Sequence, residues 1–487
     1  MTMTFAELLP LAPVLIVGMT SVLVMLLIAA KRHHDLTGTV SVVGLNLALL
    51  TLIYQVIEPH PPVQMVTSLY MVDGYAQFYT GLVLIATLGC CTLSHAYIDS
   101  FKNNREELYL MLLFAAMGGM LLPASQNLSS LFISLELLSV PTYGLLAYTH
   151  ERSKSLEAGI KYMVLSAAAS ASLLMGMAFL YAYTGTLDFK QLGMTIYTQG
   201  LTQPLAVLGI ALMVIALAFK LSLVPFHAWT PDVYQGAPAP IATFLATVGK
   251  VAVFALFLRF VLMSAGLAMV GLQAVLTGIA VLSILLGNLL ALRQVNLKRL
   301  LGYSSIAHIG YVMIAVVCLG VGSLPAVGIY LATYLLTSLA AFGAVALMSS
   351  PYDGDEAESL ADYRGLFWRR PVLTAVLTVM MLSLAGVPLT AGFIAKFFVV
   401  LSAVQATNWF LAGVVILGSG IGLYFYLRVM VVMYMTPPDT PRIDAQTHWG
   451  TRVGGIMVLL ITLLVLLIGI YPTPLIALAS HARIFTG

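Results

Sequence analysis

The sequence predicts an all-α polytopic membrane protein with about fourteen transmembrane helices. Three observations predict it. Of the 487 residues, 60% are hydrophobic and only 8% are charged, against about 25% charged in an ordinary soluble domain. Mean hydropathy is +1.00. Of the basic residues outside the apolar runs, nearly all fall on one side. So few charges cannot clothe a water-facing surface of this size, so most of the surface must face the lipid bilayer. A net charge of +3 gives no phosphate-binding field, which excludes nucleic acid as a partner. Three cysteines, Cys90, Cys91 and Cys318, exclude a disulfide scaffold and read as small apolar core residues.

A span needs about 20 apolar residues. Apolar runs between polar breaks place helices at 9–30, 39–57, 75–97, 108–123, 127–148, 158–183, 205–226, 239–263, 270–292, 300–321, 325–349, 371–403, 409–434 and 453–475. No soluble domain fits between them, so residues 1–487 read as one integral membrane domain. The first run is preceded by no Lys or Arg, the first being Lys31. A signal peptide carries its bases before the run, so the first helix is expected to be retained with its N-terminus outside.

The loops test that orientation. Those after odd-numbered helices hold fourteen bases: Lys31, Arg32, Lys102, Arg105, Arg152, Lys154, Arg293, Lys298, Arg299, Arg364, Arg369, Arg370, Arg442 and Arg452. The opposite side holds only Lys190 and Arg483. By the positive-inside rule both termini are expected on the outer, periplasmic side.

The six remaining bases lie inside spans, with one acid. Such charges are costly and mark bundle interiors or wet paths. Arg259 and Arg428 lie within about six residues of helix ends and are expected to snorkel to the interface. Glu136, in the fifth span, has no Lys or Arg within four positions, so a charged partner must come from another helix. Lys161, in the sixth, follows Glu157 by four residues, the favoured order for a helical ion pair. It also lies near the inner helix end, so it reads as a plain surface pair or as one more functional charge. Lys220 immediately precedes Val224-Pro225 in the seventh span, and a proline there breaks the helix beside the lysine. Lys250 sits near the middle of the eighth span with nothing nearby in sequence to neutralise it. Lys396 follows Pro388 in the twelfth, a second span interrupted by Pro and Gly.

Buried lysine suits proton transfer because burial destabilises its charged form while a carboxylate restores it. Moving Glu136 and Lys220 together or apart would load or release a proton. His227, Tyr303 and His308 are candidate relays, with Ser304, Ser305, Tyr424 and Tyr426 as further polar positions. A lone His in a span is equally a helix-packing group. The two Pro-broken spans are five helices apart. A tandem five-helix unit must be inverted, because an odd number of spans flips the second copy, and inverted repeats with broken helices are a transporter design.

No redox centre is visible: there is no CxxC cluster and no histidine pair suited to a haem. GSGIGLY at 418–424 lies in an apolar span without a βαβ context, so Gly418 and Gly422 read as a packing face. With no Walker motif, the energy for uphill transport must come from an ion gradient or a partner protein.

Four strings carry a resemblance: SLEAGIKYMVLSA (155–167), FKLSLVPFHAWTPDVYQGAPAP (219–240), LKRLLGYSSIAHIGY (297–311) and ESLADYRGL (358–366). Along essentially its whole length the chain resembles the antiporter-like subunits of respiratory complex I, and looks most like the bacterial N-type subunits. It stops after the fourteenth helix, without a long lateral helix, and has Lys396 where the M-type subunits carry a glutamate. The resemblance implies two inverted five-helix repeats, one over about 108–263 and one over about 270–434, flanked by helices 1–3 at about 9–97 and a last helix at about 453–475. It implies that Glu136 and Lys220 form a charge pair modulated by Lys161. Lys250 would be the central relay, connected by His227 or His308, and Lys396 would lie on the route outward. It implies a proton-translocating part in NADH:quinone oxidoreductase at the bacterial inner membrane. The partners would be sibling antiporter-like subunits and the other membrane and peripheral subunits. FMN, iron–sulfur clusters, NADH and quinone would be handled by the complex, with no cofactor bound by this chain. The rival class is a subunit of a multisubunit Na+/H+ antiporter.

Overall fold

The computed structural model describes residues 8–57, 63–99, 101, 104–199, 203–264, 270–318, 323–349, 356–438 and 452–484. Thirteen helices among the described residues are long and apolar enough to cross a membrane, and two shorter apolar helices, Pro371–Ala385 and Ala391–Gln405, fill the stretch read as the twelfth span. In chain order they are α1 (Ala12–Ala30), α2 (His34–Ile57), α3 (Gly74–Tyr97), α4 (Glu107–Leu121), α5 (Leu128–Leu146), α6 (Ser153–Thr184) and α7 (Pro204–Leu221). There follow α8 (Ala239–Met263), α9 (Val270–Ala291), α10 (Leu297–Val317), α11 (Ser323–Met348), α12 (Pro371–Ala385), α13 (Ala391–Gln405), α14 (Trp409–Tyr434) and α15 (Val453–Ile470). The twelfth predicted span is therefore α12 and α13 together.

Helix starts follow capping chemistry. Asp73 accepts from the Ala76 amide ahead of α3, Asn127 from Ser129 ahead of α5, and Asn296 from Arg299 ahead of α10. Each satisfies an N–H that has no partner within its helix. The loops departed most from expectation. The segment before α3 contains a short antiparallel pair, β1 (Val63–Met65) and β2 (Met71–Asp73), with Gln64 opposite Val72. An amphipathic helix, Phe189–Gln199, occupies a stretch read as loop, and a further short helix, Thr473–His481, lies near the end of the described chain.

The helices are layered. Across their spanning windows α8 and α11 are completely buried and α10 almost so. By contrast α1, α2, α14 and α15 present large apolar residues outward, Leu26, Leu50, Ile416 and Leu460 among them. Lys250 and His308 thus stand on helices that other helices cover on all sides.

Candidate functional site: a row of buried amines

The seventh span breaks earlier than Pro225 alone predicts. α7 stops at Leu221, Ser222 adopts a left-handed conformation (φ 60°), and a short helix resumes over Trp229–Gly236. The Leu223 amide bonds Ala218 O and the Ser222 amide bonds Phe219 O. That is the Schellman closure of a helix C-terminus. The twelfth span ends its first half the same way. Gly386 is left-handed (φ 85°), and the Val387 and Gly386 amides bond Leu382 O and Ser383 O. Glycine carries no Cβ penalty there, and a Cβ at Gly386 would meet Lys396 Cδ at 2.8 Å.

Each closure leaves orphan carbonyls inside the bundle, and in each case a lysine answers one. Lys250 Nζ donates to Lys220 O (3.1 Å) and also bonds Ser222 Oγ. Lys396 Nζ donates to Ala385 O (2.8 Å). Cations at these positions also complement the negative end of a helix dipole. Aromatic faces supply the rest of their surroundings: Lys250 lies 4.9 Å from the Trp229 ring centre and Lys396 5.2 Å from that of Tyr311.

Lys220 is held differently. Its Nζ donates to Ser139 Oγ and Ser166 Oγ, each at 2.6 Å, and it faces the Tyr162 ring at 5.7 Å. Glu136 lies three residues before Ser139 on α5 and accepts from Ser170 on α6 at 2.5 Å. It forms no ion pair within 4.0 Å among the described residues. Both groups are therefore bonded to a layer of serine hydroxyls, Ser139 and Ser166 at Lys220 and Ser170 at Glu136. Hydroxyls both donate and accept, so this layer suits a charge pair that communicates through protons rather than by direct contact.

Between Lys250 and Lys396 runs a line of aromatic and hydroxyl groups. Trp229 meets Tyr234 edge-on (6.5 Å between centres), and the Tyr234 ring meets Phe342 on α11 edge-on in turn (5.8 Å). Tyr334 donates to Ser305 (2.7 Å). His308 pairs through Nδ1 with Tyr330 OH (2.8 Å) and through Nε2 with Tyr426 OH (3.2 Å), which also bonds Ser304. His308 stacks edge-on against Tyr311, the ring beneath Lys396.

Two candidates stand outside this line. His227 is half-buried in the break of the seventh span, and no described bond joins its ring to Lys220 or Lys250. Tyr303 is on the same helix as His308, but no described hydrogen bond engages its hydroxyl. Lys161 pairs with Glu157 (2.6 Å), as its spacing predicts, and also with Asp232 (3.2 Å), which Arg299 holds at 2.6 Å.

Sequence reasoning missed two charge clusters. Arg259 does not snorkel: it is completely buried, paired with Asp73 at 2.5 Å and set over the Tyr75 ring. Arg428 donates to Leu292 O and Gln294 O, closing the end of α9. The second cluster centres on Glu356, which meets Lys298 (2.5 Å), Arg152 (3.4 Å), the Tyr97 hydroxyl and the Ala239 amide at the start of α8. Burial alone would push the Glu356 carboxyl up. Lys298 and Arg152, with hydrogen bonds from Lys298 and Tyr97, reverse this and hold it below its ordinary value.

A covered bundle, two broken helices and amines lodged at their ends define a membrane subunit of the proton-antiporter type. The family model described as "NADH:quinone oxidoreductase/Mrp antiporter, TM" matches residues 125–422. A chain in the structure titled "Respiratory complex I from Thermus thermophilus with bound Aureothin" superimposes with a TM-score of 0.80 at 33% identity, over 96% of this chain and 98% of that one. NADH-quinone oxidoreductase subunit N of Acinetobacter baumannii (strain AB0057) is 62% identical over 100% of this chain and 97% of that protein. The subunit N of Ectopseudomonas mendocina (strain ymp) is 55% identical over 99% and 97%. The chain belongs to the family of NADH-quinone oxidoreductase subunit N, a multi-pass membrane subunit of bacterial complex I. The relatives favour this over the Na+/H+ antiporter alternative.

Proposed function

We propose that this chain moves protons across the bacterial inner membrane, as a membrane-arm subunit of NADH:quinone oxidoreductase, along Glu136, Lys220, Lys250, His308 and Lys396. The observation that carries the reading is the solvation of the three buried amines. Serine hydroxyls, main-chain carbonyls and ring faces contact them, and among the described residues no carboxylate within 4.0 Å locks any of them in the charged state. Such an amine can lose its proton and regain it, which an ion-paired lysine resists.

Lys161, tied to Glu157 and Asp232, would set the field at one end. His227 and Tyr303 remain candidate relays that would need a side-chain movement or a bridging water to join the line. The matching closures at Ser222 and Gly386 favour reading α4–α8 and α9–α14 as two five-span units within one membrane domain. The asymmetry of basic loops favours termini on the periplasmic side. Electrons from NADH to quinone, with FMN and iron–sulfur clusters, would be handled by other subunits, and this chain would contribute proton transfer alone.

The test is NADH-driven proton pumping in membrane vesicles carrying Lys220→Ala or Glu136→Ala, with assembly checked on native gels. Pumping should fall while the complex assembles. An assembled variant that pumps like the wild type sinks the proposal.

A further inference from the structure

Away from the amine row, His34, Asp35 and His95 form a second cluster. One ring nitrogen of each histidine and a carboxylate oxygen of Asp35 all lie within 4.8 Å of one another. His34 opens α2 and His95 sits in the last turn of α3, so the cluster bridges two helix ends. His95 Nε2 is 3.2 Å from Asp35 Oδ1. The edge of a zinc tetrahedron with bonds of ~2.0–2.1 Å is about 3.3 Å, so this pair is already spaced as two ligands of one ion.

The buried histidine is prepared for ligation. His34 is only 8% exposed. Its Nε2 lies 3.2 Å from the His95 carbonyl, a group that only accepts. The proton therefore sits on Nε2, and Nδ1 presents its lone pair. Nδ1 has no hydrogen-bond partner among the described residues. A carbonyl on one ring nitrogen and a free lone pair on the other is the outer-shell arrangement of metal-binding histidines. Gly38, one turn after His34, makes the room: a Cβ there would meet His95 Cδ2 at 3.0 Å and Tyr109 Oη at 3.2 Å. The adjacent cations are already engaged, Arg32 by Glu107 at 2.7 Å and Arg105 by Asp99 at 3.2 Å.

We propose that His34, Asp35 and His95 bind a divalent transition cation of the zinc class. Two imidazoles and one carboxylate are the ligand set, with the fourth position open to water. The ion would staple the start of α2 to the end of α3. Asp35 and His95 have exposed side chains, so the site can fill from solution and only these two need to rotate to close it.

The experiment equilibrates the intact purified complex containing this chain with Zn2+ alone, at free concentrations set by a chelator buffer, and measures bound zinc. Wild type should hold one more equivalent per complex than His95→Ala or Asp35→Ala. Under reducing conditions His95→Cys should restore it, since a thiolate also ligates zinc, whereas a lost packing contact would not be rescued that way. Equal zinc in the wild type, His95→Ala and Asp35→Ala overturns the assignment. Both substituted side chains are partly exposed, so the result does not depend on a variant of the buried His34 folding.

Discussion

The ammonium of Lys250 donates to the backbone carbonyl of Lys220, 3.1 Å away, across the gap where α7 ends. Two lysines that would repel in any register of side chains are thus joined through one residue's main chain and the other's amine. Whatever changes the charge on Lys250 acts directly on the helix end from which the Lys220 side chain departs.

Replacing Lys250 with Met keeps the packing volume and removes the donor. NADH-driven proton pumping should fall by about 10²-fold or more, the scale of a lost proton-transfer group. Vesicle acidification measured beside quinone reductase activity separates lost coupling from a lost complex.

Gly386→Ala should act on Lys396 without replacing it. The left-handed conformation costs a non-glycine residue about 1–2 kcal/mol, and the new methyl group collides with the Lys396 side chain. The lysine must leave Ala385 O. We expect an assembled complex with impaired pumping, and Ser at position 386 should be as harmful as Ala.

Arg259→Met removes the guanidinium that pairs with the buried Asp73. Breaking a buried pair from one side costs about 3–5 kcal/mol. The variant should reach the membrane at much reduced levels on immunoblots. Adding Asp73→Asn should recover much of the loss, because the buried carboxylate is then gone.

Glu356 gives the protein an acid limit. Its carboxyl is held below the ordinary value in the folded state, so the folded state binds its proton less readily than the unfolded chain. The resulting stabilisation is fully present above the unfolded value of about 4.3 and fades as pH falls through the folded value. Glu356→Gln should lower thermal stability at pH 7 and flatten its decline in acid, as followed by thermal scans of the solubilised complex.

The spans and the three buried lysines were legible because each is a local event: an apolar run of fixed length, and a charge where none belongs. Lys161 with Glu157 was legible for the same reason, being one turn apart. Arg259 with Asp73, and Lys298 with Glu356, were not. Each pair is made by residues far apart in the chain, and the acids lie in segments that read as plain polar loops. The line from Trp229 through Tyr234 to Phe342 was hidden for another reason. Tyr and Trp are abundant in membrane helices, and only the packing of the short helix Trp229–Gly236 with α10 and α11 selects those that come together.

The anchoring of Lys250 and Lys396 on main-chain oxygens has a genetic consequence. A carbonyl is supplied by every residue, so neither anchor can be deleted by changing a codon. A substitution scan will therefore find the lysines and the glycine that makes room for one of them, yet pass over the atoms that receive the protons' carriers. Ester-for-amide replacement, which weakens a single carbonyl while leaving every side chain in place, is the change that would expose them.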